Sequence, residues 1–440
     1  MKKIDLTTGK ELSVISLLAL PLIGSSLLQF MYNFIDMLFV GGLGSDAIAA
    51  VGSASFFINV GYAIQAMIVV GGGIKIAHAM GQNNERKLAS YIGSSLLLNV
   101  IIGFITIFVL LIFGNSILNF LDLNNEVVQA DAYQYLAVSA IMLFFSYFNA
   151  FFIRMFSSFG NNKQSFYISA FGIILNVILD PIFIYWLKWG VIGAAIATLI
   201  AQILMFLLFI YVARNVLWKR DVIKVCLHSG WEIIRLGLPM TTQRVLFTII
   251  NIILAKIIAT YGTEAVAAQK IGLQIESVTF IVLGGLNGAV SSFIGQNYGA
   301  RKFTRITTGY RMSMILGISY AVLTSIIFIF FAEQLAELFT HDHETVGMAI
   351  TYLEIIGLSQ IFMAMEMISN GVFTGIGLPK IPSIISIIFT ALRIPMAIVF
   401  THFIGINGVW WSIAISSLLK GVVAVIVFQI IYRRREQNEI

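Results

Sequence analysis

Two acidic residues lie within stretches that are otherwise apolar enough to span a bilayer. Asp36 falls in the segment Leu12–Val40, and Asp180 falls in a second apolar segment, 164–187. A carboxylate on a transmembrane helix costs about 2.5–3.5 kcal/mol on insertion scales, and such residues usually face a cavity, a partner or a substrate path. The two acids are therefore the first candidates for chemistry, and that chemistry would be the binding of a cation or a proton within the membrane.

Other polar side chains are predicted to lie close to these acids. Tyr32 precedes Asp36 by four residues and Asn176 precedes Asp180 by four, so the members of each pair share one helix face. The candidate coupling residues at comparable depth are Tyr32, Asp36, Tyr135, Asn176, Asp180 and Thr198. Oxygen ligands suit a hard cation, so sodium could bind at Asp36, Asn176, Asp180 and Thr198, or the acids could share a proton. The alternative is a buried hydrogen-bonded network that only fixes packing.

Two prolines are placed where they could bend the helices that carry the acids. Pro21 lies inside the first apolar segment, and Pro181 directly follows Asp180. Proline removes a backbone hydrogen bond from the helix interior, a defect that neighbouring helices or water can repair in a membrane. Both residues are predicted to allow helix bending next to an acid.

The composition places these segments in an integral membrane protein. The 440 residues are 59% hydrophobic and 11% charged, which is far from the composition of a soluble domain. The single cysteine excludes an intramolecular disulfide and a cysteine metal cluster, and the five histidines show no metal-binding spacing. The first apolar segment has no small-residue cleavage site and is expected to be retained as a spanning helix.

Twelve segments are long enough to cross, with about 20 apolar residues taken as the minimum. They are 13–40, 47–79, 88–113, 128–156, 164–187, 191–214, 235–260, 265–294, 304–331, 346–372, 381–402 and 407–432. Basic residues cluster in the loops of one side, with Lys188 as the exception, and this asymmetry predicts that both termini are cytoplasmic. The predicted location is the inner, cytoplasmic membrane. The net charge of +6 then follows from topology, without a nucleic-acid partner.

The second half of the chain echoes the first. Gly44–Gly52 resembles Gly262–Lys270, GQNNERK at 81–87 resembles GQNYGARK at 295–302, and Pro21 lies 218 residues before Pro239. Six spans per repeat keep both repeats in the same orientation. We therefore predict an all-α protein of two six-helix bundles, 1–218 and 219–440, related by a pseudo-twofold axis along the membrane normal, with a central cleft.

The repeats differ in their charges, because the repeat offset places Leu254 opposite Asp36 and Ile394 opposite Asp180. Charged residues in or near the spans of the second half are Arg244, Lys256, Lys270, Glu276, Glu354, Glu366, Arg393 and Lys420. They could pair with one another. Alternatively, Glu276, Glu354, Glu366 and Arg244 could face a substrate cavity.

LALPLIGSSLLQFMYNFIDMLFVGGLGSDAIAAVG at 18–52, NVILDP at 176–181 and the duplicated GQN motifs resemble the multidrug and toxic compound extrusion (MATE) transporters, over essentially the whole chain. The resemblance implies antiport of organic cations or other amphipathic molecules against protons or sodium. It also implies a coupling role for Tyr32, Asp36, Asn176, Asp180 and Thr198. The seventh span carries Arg244 and Lys256 where NorM-type members place an acid, which is more similar to the DinF-like branch.

Several expectations about partners and rival functions accompany this resemblance. The sequence has no GxxxxGK[ST] loop for ATP, so an ion gradient is the expected energy source, without a cofactor. The expected partners are small amphipathic or cationic substrates and membrane lipids, and the chain is expected to be monomeric. A lipid-linked oligosaccharide flippase of the same superfamily is the alternative, although it would need more cations in its cavity. A passive channel and a membrane enzyme are the alternatives from other classes, and no nucleophile–base motif supports the enzyme.

Overall fold

The computed structural model describes residues 4–119, 126–217 and 226–438, and the side chains up to 431. The predicted domain boundary at 218/219 lies outside the described residues. Within the described ranges every regular element is helical. Twelve helical segments are long and apolar enough to cross a membrane, which confirms the predicted fold class and all twelve spans.

The helices follow the apolar segments and end at polar or glycine-containing turns. Their bounds are α1 Glu11–Gly41, α2 Ser45–Gly81, α3 Glu85–Asn119, α4 Glu126–Ser158, α5 Asn162–Pro181, α6 Gly190–Leu217, α7 Leu227–Ala259, α8 Thr263–Gly299, α9 Phe303–Phe330, α10 Ala332–Glu337, α11 His343–Gly375, α12 Lys380–Ala391, α13 Arg393–Ile404 and α14 Asn407–Asn438. Asp342 caps α11, because its Oδ2 accepts hydrogen bonds from Thr345 N at 2.9 Å and Thr345 Oγ1 at 2.7 Å. These bonds lower the pKa of the Asp342 carboxyl.

Two of the spans are interrupted next to a proline. After Pro181, the fifth span continues as a π-helical turn, Ile182–Trp186. The eleventh span is broken into α12 and α13 at Leu392, three residues before Pro395. Pro395 cannot donate a backbone hydrogen bond, so the helix is weakened in the turn that precedes it.

The chain forms two compact units. Unit 1 contains residues 1–6 and 24–241, and unit 2 contains residues 7–23 and 242–440. Two helices are therefore divided between the units. Helix α1 passes from unit 2 to unit 1 two residues after Pro21, and α7 passes from unit 1 to unit 2 two residues after Pro239.

Unit 1 is held together by an aromatic core and by one very close helix crossing. The rings of Phe152 and Phe209 stack at 5.7 Å in the interior. Helix α7 crosses α2 with its backbone in direct contact. A Cβ added at Gly71 would meet the carbonyl of Ile233, and a Cβ at Gly237 would meet the carbonyl of Met67. Both glycines are therefore needed for this approach.

Polar contacts fix the first half of α7 to α2 and α3 within unit 1. Lys75 Nζ donates to Glu232 Oε1 at 2.8 Å, and Tyr91 OH donates to Glu232 Oε2 at 2.7 Å. Ser90 and Ser229 are joined through their hydroxyls at 2.8 Å. The half-helix is thus docked by both packing and charge.

The first half of α1 is docked in unit 2 by side chains that follow α8. Arg305 donates to Glu11 Oε1 at 3.0 Å and to the Gly9 carbonyl at 2.8 Å. Lys302 donates to the carbonyl and the hydroxyl of Thr7, both at 2.8 Å. Deeper in the unit, the Tyr352 and Trp410 rings meet edge to face at 4.9 Å, and both side chains are fully buried.

The structure corrects one part of the repeat alignment. Gln82 and Asn83 form the turn after α2, whereas Gln296 and Asn297 still lie inside α8. In the turns that follow α2 and α8, the residues with left-handed backbone are Asn83 (φ 50°) and Arg301 (φ 57°), which are 218 residues apart, like Gly44 and Gly262. The two GQN motifs are therefore displaced from each other by one helical turn and are not equivalent turns.

Candidate functional site

The predicted coupling residues all lie in unit 1, on four helices. Helix α1 carries Tyr32 and Asp36, α4 carries Tyr135, α5 carries Asn176 and Asp180, and α6 carries Thr198. Asp36 lies within electrostatic range of Asp180, Tyr32 and Tyr135, so the four helices bring these groups into one region. Whether they bind a cation stays a prediction, but their proximity follows directly from the packing of unit 1.

Asn176 and Asp180 form a buried pair on α5. Asn176 Nδ2 donates to Asp180 Oδ1 at 2.8 Å, as their four-residue spacing predicts, and the two residues are 3% and 0% exposed. The second carboxylate oxygen, Asp180 Oδ2, is buried and has no hydrogen-bond partner among the described residues. Since Asp180 is in the last turn of α5, the negative end of the helix dipole does not stabilise its charge.

Tyr32 and Thr198 form a second contact in the same region. Thr198 Oγ1 donates to the Ala194 carbonyl at 3.0 Å, so its only proton is used. The Tyr32 hydroxyl, 3.1 Å from Thr198 Oγ1, must then be the donor. The Tyr32 oxygen keeps its lone pairs and can still act as an acceptor or a cation ligand.

Asp36 is half-buried and has one carboxylate oxygen, Oδ1, that is buried and without a partner in the described chain. Neither Asp36 nor Asp180 forms an ion pair with a lysine or arginine in that part of the chain. Two buried acceptor atoms on two acids are a large deficit, since buried carboxylates are normally paired or hydrogen-bonded. A proton or a small cation is the ligand that would relieve it.

The donor set fits such a ligand. Among the described residues, no three histidine, cysteine or acidic side chains gather as they would for a transition metal. The region offers two carboxylates together with neutral oxygens of an amide, a hydroxyl and phenols. Hard monovalent cations bind such oxygens, and a proton can be held by either acid.

Unit 2 contains a different arrangement of charges. Glu366 forms a buried ion pair with Lys420, with Oε2 2.9 Å from Nζ, and its Oε1 accepts a hydrogen bond from Ser386 Oγ at 2.8 Å. Glu276 accepts from Tyr352 OH at 3.2 Å and from Gln360 Nε2 at 3.4 Å.

Arg393 completes this group of charges at the break between α12 and α13. Its Nε donates to Ser416 Oγ at 3.0 Å, and it lies within electrostatic range of Glu276 and Glu366. Two acids and two bases therefore balance inside unit 2. The expectation of mutual pairing describes Glu366, while a substrate-facing role of Glu276 or Glu366 stays a prediction.

The other two predicted cavity residues do not join this group of charges. Arg244 on α7 and Glu354 on α11 are exposed side chains. Sequence reasoning also missed several buried polar contacts in unit 1. Gln65 Nε2 donates to the Ser146 carbonyl at 2.8 Å, and Asn149 Nδ2 donates to Gln202 Oε1 at 2.7 Å. Amides within apolar segments were the available signal.

Comparison with known proteins identifies relatives over nearly the whole chain. The family model MatE matches residues 21–182 and 239–399, one match in each repeat. The chain is 26% identical over 426 residues to the probable multidrug resistance protein NorM of Thermotoga maritima, which covers 93% of this chain and 90% of the relative. It is 25% identical to the multidrug export protein MepA of Staphylococcus aureus, over 94% of this chain and 93% of that protein.

A solved structure gives the same answer for the fold. An outward-facing multidrug resistance MATE family transporter of the MOP superfamily superposes with a TM-score of 0.91 at 26% identity, covering 99% of both chains. The chain belongs to the MatE family. The relatives are transporters rather than enzymes, and the placement in the DinF-like branch stays a prediction.

Proposed function

We propose that this member of the MatE family exports organic cations, drugs or other amphipathic small molecules across the cytoplasmic membrane in exchange for protons or sodium. The observation that carries the proposal is the pair of unpartnered buried carboxylate oxygens, Asp36 Oδ1 and Asp180 Oδ2, in one region of unit 1. A site that never bound an ion would carry the desolvation cost of these two oxygens in every state. A site that binds and releases an ion in each transport cycle is relieved of that cost whenever it is occupied.

The coupling logic follows from linkage between two ligands. When a cation or proton binds Asp36 and Asp180, the local negative charge falls and the surrounding hydrogen bonds can rearrange, so the affinity for a cationic substrate changes. Linkage requires that substrate binding changes ion affinity by the same factor, which for allosteric coupling is about 5–150-fold. Pro21 and Pro181 supply weak points in α1 and α5 where this change can be absorbed.

Location and orientation are part of the same proposal. We place the chain in the cytoplasmic membrane with both termini in the cytoplasm, because the loops of that side carry most lysines and arginines. The partners are then the transported molecules and the lipids of that membrane. The chain works as a monomer, without a nucleic acid or a bound cofactor.

The test is transport in inside-out membrane vesicles, with sodium and pH gradients imposed separately. A fluorescent organic cation should accumulate in the lumen under a lumen-high gradient of the coupling ion and not without one. Asp36→Asn should abolish the accumulation, whereas Asp46→Asn, which neutralises an exposed acid in the first turn of α2, should retain it. Equal accumulation with and without a gradient, or in Asp36→Asn, would contradict the proposal.

A further inference from the structure

The four charged side chains in the interior of unit 2 lie on four helices: Glu276 on α8, Glu366 on α11, Arg393 on α13 and Lys420 on α14. Glu276, Glu366 and Lys420 are 5–6% exposed. Lys420 and Arg393 each lie within electrostatic range of both Glu276 and Glu366, so both bases act on both acids. A lysine is rarely buried this deeply, because its ammonium loses hydration unless a partner replaces it.

The contacts of Glu366 show what Lys420 does there. Each carboxylate oxygen of Glu366 has a donor, one from Ser386 and the other from the Lys420 ammonium. Within the described chain, neither Glu366 nor Glu276 has a buried oxygen that lacks a partner. The corresponding atoms of Asp36 and Asp180 in unit 1 do lack one. Lys420 thus fills at Glu366 the kind of position that is unfilled in unit 1.

The ammonium is held in place from a second side. Lys420 Nζ lies 5.9 Å from the centroid of the Phe247 ring on α7, within range of a cation–π interaction. An ion pair at 2.9 Å on one side and an aromatic face on another are a setting that would also suit a bound monovalent cation. Here the chain supplies that cation itself.

We propose that Lys420 is a tethered cation that occupies a monovalent-cation site at Glu366 and so excludes protons and sodium from unit 2. This inference rests on the proposed function, since it concerns how many coupling ions each chain carries. Lys420 then determines that coupling uses the unit 1 acids alone. Removal of the ammonium exposes a carboxylate that has to acquire a cation from solution.

The test is cation binding to purified protein in detergent, with unit 1 silenced by Asp36→Asn and Asp180→Asn. In that background, the parent should bind no sodium by equilibrium ²²Na⁺ binding, and infrared difference spectroscopy should show no protonated acid assignable to Glu366. Lys420→Met should gain about one cation equivalent per chain, the number of carboxylates that lose their partner. The gain should be either bound sodium or a protonated Glu366.

Three further variants make the result specific. Glu366→Gln added to Lys420→Met should remove the gain, and Lys420→Arg should show no gain because it retains the cation. Lys420→Gln keeps a hydrogen-bond donor without the charge and should reproduce the gain, so it serves if Lys420→Met fails to fold. No gain in folded Lys420→Met or Lys420→Gln, or a gain that survives Glu366→Gln, would overturn the proposal and leave Lys420 with a purely structural role.

The two proposals fail in different ways. Because the binding experiment is done with unit 1 neutralised, its result does not depend on transport. If accumulation in the vesicle experiment did not depend on a sodium or pH gradient, the proposed function would be wrong. A gain of cation binding at Glu366 would still be measurable.

Discussion

The two units have related sequences and the same helical repeat, but they differ in whether their buried acids have basic partners. In unit 1, Asp36 and Asp180 lie near each other without a basic partner. In unit 2, Glu276 and Glu366 are balanced by Arg393 and Lys420. An acid that carries its own counterion has no need for an ion from solution, whereas an acid without one does.

The difference teaches that a duplicated fold can leave buried acids without basic partners in one of its copies and pair them in the other. The break in the fifth span follows an acid, Asp180, and the break in the eleventh span is followed by a base, Arg393. Helix irregularities of the same origin, Pro181 and Pro395, thus present charges of opposite sign. Loss of the unpaired acids in unit 1 should mainly affect transport, whereas loss of the paired charges in unit 2 should mainly affect stability.

The largest expected effect is on transport. Asp180→Asn should abolish gradient-driven accumulation, because an amide cannot take up a proton or supply a negative charge to a cation. The folded protein should not lose stability, since the substitution removes a buried charge that has no basic partner, and the amide oxygen can still accept from Asn176. Vesicle transport and thermal unfolding in detergent measure the two effects. Retained accumulation in a protein of wild-type abundance would show that Asp180 is not needed for coupling.

The next effect is on the stability of unit 2. Glu366→Gln or Lys420→Met alone leaves one buried charge with less compensation and should cost about 3–5 kcal/mol. The double variant removes both charges and should recover most of that cost. A double-mutant cycle on the free energy of unfolding gives the coupling. Additive losses would show that the pair at 2.9 Å does not act as a unit.

A smaller effect is expected where α7 crosses α2. Gly237→Ala would push a methyl group into the carbonyl of Met67 and should cost about 1–3 kcal/mol. Gly230→Ala, in the same helix with open space at its Cβ, should instead be neutral or stabilising by about 0.5–1 kcal/mol.

The position equivalent to Gly237 in the other repeat tests the same comparison. Ala19 of α1 lies 218 residues before Gly237 and already carries a Cβ in the interior of unit 2. Ala19→Gly should also destabilise, through helix propensity and lost packing, so alanine is favoured at 19 where glycine is favoured at 237. Thermal unfolding of all three variants provides the measurement, and a higher unfolding temperature for Ala19→Gly would show that position 19, like position 237, favours glycine.

The smallest effect is expected at Tyr32. Tyr32→Phe removes the donor to Thr198 Oγ1, a bond of 3.1 Å, and should cost about 0.5–1.5 kcal/mol. If the phenol oxygen also contacts the bound cation, the apparent affinity for the coupling ion should fall further than stability does. Ion dependence of transport and unfolding temperature together separate the two roles, and an unchanged ion dependence would limit Tyr32 to packing.

The spans were predictable because each is a long apolar segment, and the four-residue spacing of Asn176 and Asp180 fixed their contact. The partner of Tyr32 was not predictable in the same way. Its spacing placed it on the same helix face as Asp36, but did not indicate that its hydroxyl bonds to Thr198 on another helix. Helical periodicity states which residues share a face. It does not state which helix packs against that face.

Long-range pairing and helix length set the remaining limits. The ion pair of Glu366 and Lys420 joins residues on α11 and α14, and no local pattern marks that choice of partner. The shared letters GQN suggested equivalent turns, yet α8 continues beyond its GQN to Gly299. Short identities record sequence descent or chance, whereas the end of a helix depends on the residues that follow.

The divided helices have a consequence for biosynthesis. Residues 7–23 are made near the start of synthesis but belong to unit 2, so their contacts with Lys302 and Arg305 must wait until α8 and α9 have left the ribosome. Unit 1 in turn lacks the helix backbone that packs against Gly71 until α7 is made. A nascent chain that stopped after α6 would therefore hold an orphaned half-helix at its start and an uncovered glycine face in α2. Translation must pass beyond Ile233 before the earlier half of the chain can complete its own packing.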